Sequence, residues 1–67
     1  MMKKIILNND IFSYDSIDKA IQAYKKIALI RKKCDGNKVV LTFWKCKYDE
    51  ELTIKEFENY LIGIENS

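Results

Sequence analysis

The sequence predicts an α+β domain in the order β-α-β-β-α, with a three-stranded sheet centred on residues 38–46 and two helices on one face. Three observations predict it. Ile17, Ala20, Ile21, Tyr24, Ile27 and Ala28 recur at helical spacing, and β-prone runs flank Asp35-Gly36-Asn37. Ile54, Phe57, Leu61 and Ile64, with Tyr60 beside them, make a second helical stripe. At 67 residues the chain is one domain, 1–67, near the lower limit for folding without disulfides or metals.

The elements follow in chain order. Lys4-Ile5-Ile6-Leu7 reads as a short strand, and Asn8-Asn9-Asp10 turns the chain. The first helix occupies "SYDSIDKAIQAYKKIA", with Ser13 or Asp15 as N-cap and Lys25 and Lys26 at the negative end of its dipole. A hairpin follows in "ALIRKKCDGNKVVLTFWKC", because Gly36 accepts the positive φ that a tight turn requires. Turning at Gly36-Asn37 sets Cys34 opposite Val39 and leaves Cys46 far from Cys34. In the closing helix Thr53 and Glu56 fit a capping box, and Leu52 and Phe57 a hydrophobic staple. Asp49-Glu50-Glu51 either precede that helix or form its first turn.

Strand 38–46 is apolar on both faces, with Val39, Leu41 and Phe43 on one and Val40, Thr42, Trp44 and Cys46 on the other. The strand before it alternates Arg31 and Lys33 with Ile30, Lys32 and Cys34. A doubly apolar strand belongs in the middle of a sheet and a charged one at its edge. Strand 3 is therefore expected between strands 1 and 2, antiparallel to both, the alternative being direct pairing of strands 1 and 2.

Two helices on one face leave the other without cover from the chain itself. Uncovered apolar patches commonly mark contacts with a partner, and aromatic residues dominate such contacts. By alternation the uncovered face carries either the Val40-Thr42-Trp44 set or the Val39-Leu41-Phe43 set; the candidate interface is Val40, Thr42, Trp44 and Tyr48, used by a protein partner or by a second copy in a homodimer. The alternative is that Tyr48, lysine stems and the chain termini shield the second face.

Composition narrows the chemistry. With no histidine, Ser-His-Asp and Cys-His catalysis and the usual zinc sites lack their central residue. Cys34 and Cys46 form no CxxC motif and read as small buried or half-buried apolar residues. Asp49-Glu50-Glu51 lack the further oxygens that a hard-cation site needs. Neither a cofactor nor a catalytic residue is expected, and the expected class is non-enzymatic. The longest apolar run is Ile27-Ala28-Leu29-Ile30, so no membrane segment is expected, and "MMKKIILNND" does not read as a signal peptide. The expected compartment is the cytoplasm with reduced thiols.

Charge is unevenly placed. Residues 1–33 hold eight Lys/Arg against three Asp, and residues 34–67 hold four Lys against seven Asp/Glu. The alternative function is a small basic nucleic-acid-binding module, with Lys3, Lys4, Arg31, Lys32 and Lys33 as its footprint. Against it, Trp44 is the lone aromatic of its face, and Tyr14, Tyr24, Tyr48 and Tyr60 read as core-edge aromatics rather than stacking platforms.

"KIILNNDIFSYDSIDKAIQAYKKIA" and "KVVLTFWKCKYDEELTIKEFENYLIGIEN", joined by a short polar hairpin and closing on "EFENYLIG", resemble the HxsD-like family. These are small bacterial proteins of the His-Xaa-Ser peptide-modification systems. The resemblance covers nearly the whole chain. It implies an accessory role beside radical-SAM enzymes that modify a ribosomally made peptide, so that the partner would be the maturase or its peptide substrate. No catalytic residue is defined for the family, and none is transferred.

Overall fold

The computed structural model describes residues 3–66. Its elements are β1 (Lys3–Asn8), α1 (Tyr14–Tyr24), β2 (Leu29–Asp35), β3 (Lys38–Trp44) and α2 (Glu50–Glu65). The sheet order is β1-β3-β2, and β3 runs antiparallel to both neighbours. Direct pairing of β1 with β2 does not occur.

The hairpin fixes half of the register. Asp35 stands opposite Lys38 and Cys34 opposite Val39, and the ladder runs out to Leu29 opposite Trp44. Gly36 carries the left-handed φ of 62°, at the first of the two loop positions, where a two-residue hairpin favours glycine. On the other side Ile5 pairs with Leu41, Ile6 with Val40 and Leu7 with Val39.

Both helices pack on the Val39-Leu41-Phe43 face. Those three side chains are fully buried with Ile17 and Ala20 of α1 and Phe57 and Leu61 of α2, while Ile54 closes the cluster. Aromatic edges run through it: Phe43 meets Phe57 at 5.2 Å between ring centroids, Phe57 meets Tyr24 at 5.5 Å, and Tyr24 meets Tyr60 at 5.8 Å. Ion pairs seat each helix over an edge strand, Lys32 of β2 to Asp18 of α1 and Lys3 of β1 to Glu51 of α2. Each hydrogen-bonded carboxylate raises the pKa of its lysine.

Ser13 caps α1, its hydroxyl accepting from the Ser16 N–H at 3.2 Å. The helix closes at Tyr24, so Ile27 and Ala28 lie in the following turn, their N–H groups both directed at the Tyr24 carbonyl. Lys25 is the C-cap rather than a last-turn residue.

Three further expectations are corrected. The N-cap of α2 is Asp49, which accepts from the Leu52 N–H at 3.0 Å, so Thr53 caps nothing. Glu50 and Glu51 form the first turn at the positive end of the dipole, and buried Thr53 donates its hydroxyl to the Asp49 carbonyl. The central strand ends at Trp44 rather than residue 46, because Lys45 adopts φ 43° and turns the chain out of the sheet. Cys46 consequently does not share the Trp44 face but packs against the core, where burial raises its thiol pKa. Cys34 is the third case, since it lies exposed on β2. Both thiols are free.

Candidate functional site

Register and alternation place the second face of the sheet residue by residue. Across its centre run Lys4, Thr42 and Arg31, and next to them Ile6, Val40 and Lys33. Asn8, Lys38 and Asp35 form the row at the hairpin end, and Trp44 and Leu29 stand together at the opposite end. Neither helix contributes to this side, since the residues that pack into the core from the sheet all belong to the other alternation. Ile6 is 66% exposed and Leu29 58%, while Val40, Thr42 and Trp44 are half-buried by their neighbours.

Trp44 is the anchor of this surface. The Arg31 guanidinium lies 5.4 Å from its ring centroid, a cation–π contact across adjacent strands. Its Nε1 is shut off from solvent and has no acceptor among the described residues. A buried donor left without a partner costs about 1–3 kcal/mol.

Of the four interface residues expected from sequence, Val40, Thr42 and Trp44 come together on one face. Tyr48 does not continue their row, because Lys45 breaks the strand alternation before it. It is 61% exposed in the connection to α2, with the Lys47 ammonium 5.8 Å from its ring centroid.

The five basic residues divide by face. Lys4, Arg31 and Lys33 lie on the open side, whereas Lys3 and Lys32 point to the helix side and are ion-paired there. Lys38, Ile6 and Leu29 join the open face without having been singled out from the sequence. The hairpin register alone would have found Leu29, since it sets Leu29 beside Trp44. Ile6 carried no such signal, because no tight turn fixes β1 against β3.

The acidic run is structural in its first and last members, Asp49 capping α2 and Glu51 holding Lys3. An open trough between α1 and α2 is lined by Asp18, Lys19, Gln22, Ala23, Tyr60 and Ile64. Its one carboxylate is already engaged by Lys32. Among the described residues no helix is long and apolar enough to cross a membrane. No protein-family model matches the chain, and no curated protein or solved structure matches it either.

Proposed function

We propose that the chain is a non-enzymatic accessory domain that docks a protein partner on the open face of its sheet. The observation that carries this reading is the one-sided packing. All the helical cover lies over Val39, Leu41 and Phe43, and Ile6, Leu29, Val40 and Trp44 stand on the other side with no layer over them. Ile6 and Val40 stand side by side on this face, bordered by Lys4, Lys33 and Lys38, and such an apolar patch with a charged border has the anatomy of an interface.

The resemblance to HxsD-like proteins supplies the kind of partner. It would be a radical-SAM maturase or the ribosomally made peptide that the maturase modifies, with this domain presenting one to the other. Binding is its contribution, and the chemistry belongs to the enzyme.

The test is co-purification of the full chain with a radical-SAM maturase and its short substrate peptide. Val40→Asp replaces the apolar contact at position 40 with a carboxylate beside Lys33 and abolishes the complex, while Lys19→Ala on α1 leaves it intact. Undiminished binding by Val40→Asp would remove the docking role from this face.

A second reading, nucleic-acid binding, has one observation in its favour, the cations Lys4, Arg31, Lys33 and Lys38 on the open side. Its weakness lies at Trp44. The ring is covered by Arg31 and is the only aromatic of the face among the described residues, so it offers bases no free stacking platform.

A further inference from the structure

Resting on the docking reading, we infer that the partner of the open face is acidic: a polypeptide surface or segment that sets carboxylates around an apolar centre. The argument begins with how the cations are distributed. On the helix side each strand lysine has its carboxylate, Glu51 for Lys3 and Asp18 for Lys32. On the open side Lys4, Arg31, Lys33 and Lys38 take part in no salt bridge among the described residues. The single anion of that face among the described residues is Asp35, at the hairpin end opposite Lys38.

The four cations frame the apolar centre. Lys4 and Arg31 flank Thr42 from the two edge strands, Lys33 flanks Val40, and Lys38 precedes Val40 by two residues along β3. Strands lie about 4.8 Å apart and alternate residues about 6.8 Å apart along a strand, so the charges ring Val40 and Ile6 at a spacing that an extended or helical partner matches. Opposite charge at such a rim steers encounter and sets orientation, and the aliphatic centre supplies the desolvated contact.

The same distribution argues against a second copy as occupant. Two open faces meeting about a two-fold axis would bring four cations against four, with only Asp35 to offset them in each. The acidic start of α2, Asp49 to Glu51, belongs to the element on the other side of the sheet, so pairing it with the open face of a neighbour gives a head-to-tail contact rather than a two-fold dimer. Nucleic acid would satisfy the cations but not Ile6, Val40 and Leu29. A carboxylate at the Trp44 end of the face would also meet the Arg31 guanidinium that lies over the ring.

A random peptide-display library selected on the immobilised full-length chain tests this, with single-stranded oligodeoxythymidine as competitor. The expected result is enrichment of sequences with a clear excess of Asp and Glu over the starting library. Synthesised peptides of that kind should bind more weakly as ionic strength rises. Reversing charge with Arg31→Glu and Lys33→Glu should weaken them at least about tenfold, and the exposed positions keep the far-ultraviolet circular dichroism unchanged. Enriched peptides without acidic excess that still lose binding to Trp44→Ala would overturn the acidic partner and leave the docking face standing. Displacement of every enriched peptide by the oligonucleotide, with tighter oligonucleotide binding, would overturn it in favour of nucleic acid. Enrichment of nothing, or only of sequences indifferent to Val40→Asp, would overturn the inference and the docking reading together.

Discussion

Arg31 of β2 lays its guanidinium over the ring of Trp44 of β3, 5.4 Å from the centroid, on the side of the sheet that carries no helix. The pair is a cover of sorts for the largest apolar group of that face, provided by a side chain that also keeps its charge in water. Arg31→Ala should therefore lower stability by only about 0.5–1 kcal/mol, the range of an exposed cation–π contact. The measurement is the urea midpoint, together with tryptophan emission, which shifts to the red as the ring gains water. A loss several times larger would mean that Arg31 holds the fold rather than shelters the ring.

The two faces of β3 should respond differently to truncation. Phe43→Ala or Phe57→Ala opens a cavity among fully buried aromatic rings and costs about 3–5 kcal/mol. That is comparable with the entire stability of a domain this small, so those variants should be largely unfolded by circular dichroism. Val40→Ala, on the open side, should cost about 1 kcal/mol or less and leave a cooperative urea transition. Equal losses at positions 40 and 43 would contradict one-sided cover.

The end of α2 clamps the start of α1. Glu65 Oε1 accepts from the Ser13 backbone N–H at 2.7 Å and from the Ser13 hydroxyl at 2.9 Å. The Ser13 backbone N–H first, then the Ser16 and Ser13 hydroxyls, hold the Glu65 carboxyl below its ordinary pKa. A depressed folded-state pKa contributes stability that is present above the unfolded value, about 4.3, and is lost as pH falls through the folded one. Urea midpoints of the wild type and Glu65→Gln should thus differ at neutral pH and converge in acid. A gap that stayed constant from neutral pH into acid would show that the carboxylate charge plays no part.

Lys45 is the one described non-glycine residue with positive φ, and it ends β3. A lysine there carries backbone strain of about 1 kcal/mol. Lys45→Gly should be neutral or stabilising by up to about 1 kcal/mol, whereas Lys45→Val should destabilise, because a β-branched side chain tolerates that region least. Thermal melts give the order directly, and a valine variant as stable as the glycine variant would contradict it.

How much of this was legible in the sequence follows from where the signals were local. Asp35-Gly36-Asn37 fixed the hairpin and with it the pairing of Cys34 with Val39, and the polarity contrast between residues 29–35 and 38–44 placed β3 in the centre. The start of α2 was ambiguous because Asp49 and Thr53 are both capping residue types one turn apart. Only the favourable placement of Glu50 and Glu51 at the dipole decides for Asp49. The turn at Lys45 left no trace, since lysine is not a residue that advertises a left-handed backbone, and that concealed where Cys46 and Tyr48 go. Which face of β3 the helices cover was undecidable from composition, because Val39-Leu41-Phe43 and Val40-Thr42-Trp44 are both apolar. The split of the basic residues was hidden for the same reason: it depends on which alternation of β1 and β2 faces the helices.

Trp44 is the only tryptophan of the chain and sits on the face assigned to docking, so its fluorescence needs no added label. The most direct measurement is its emission and acrylamide quenching in the full-length chain, before and after saturation with the partner or with a peptide selected on the chain. Docking on the open face predicts a blue shift and loss of quenching on saturation. An indole that stays as accessible and emits at the same wavelength in the saturated complex would place the partner elsewhere.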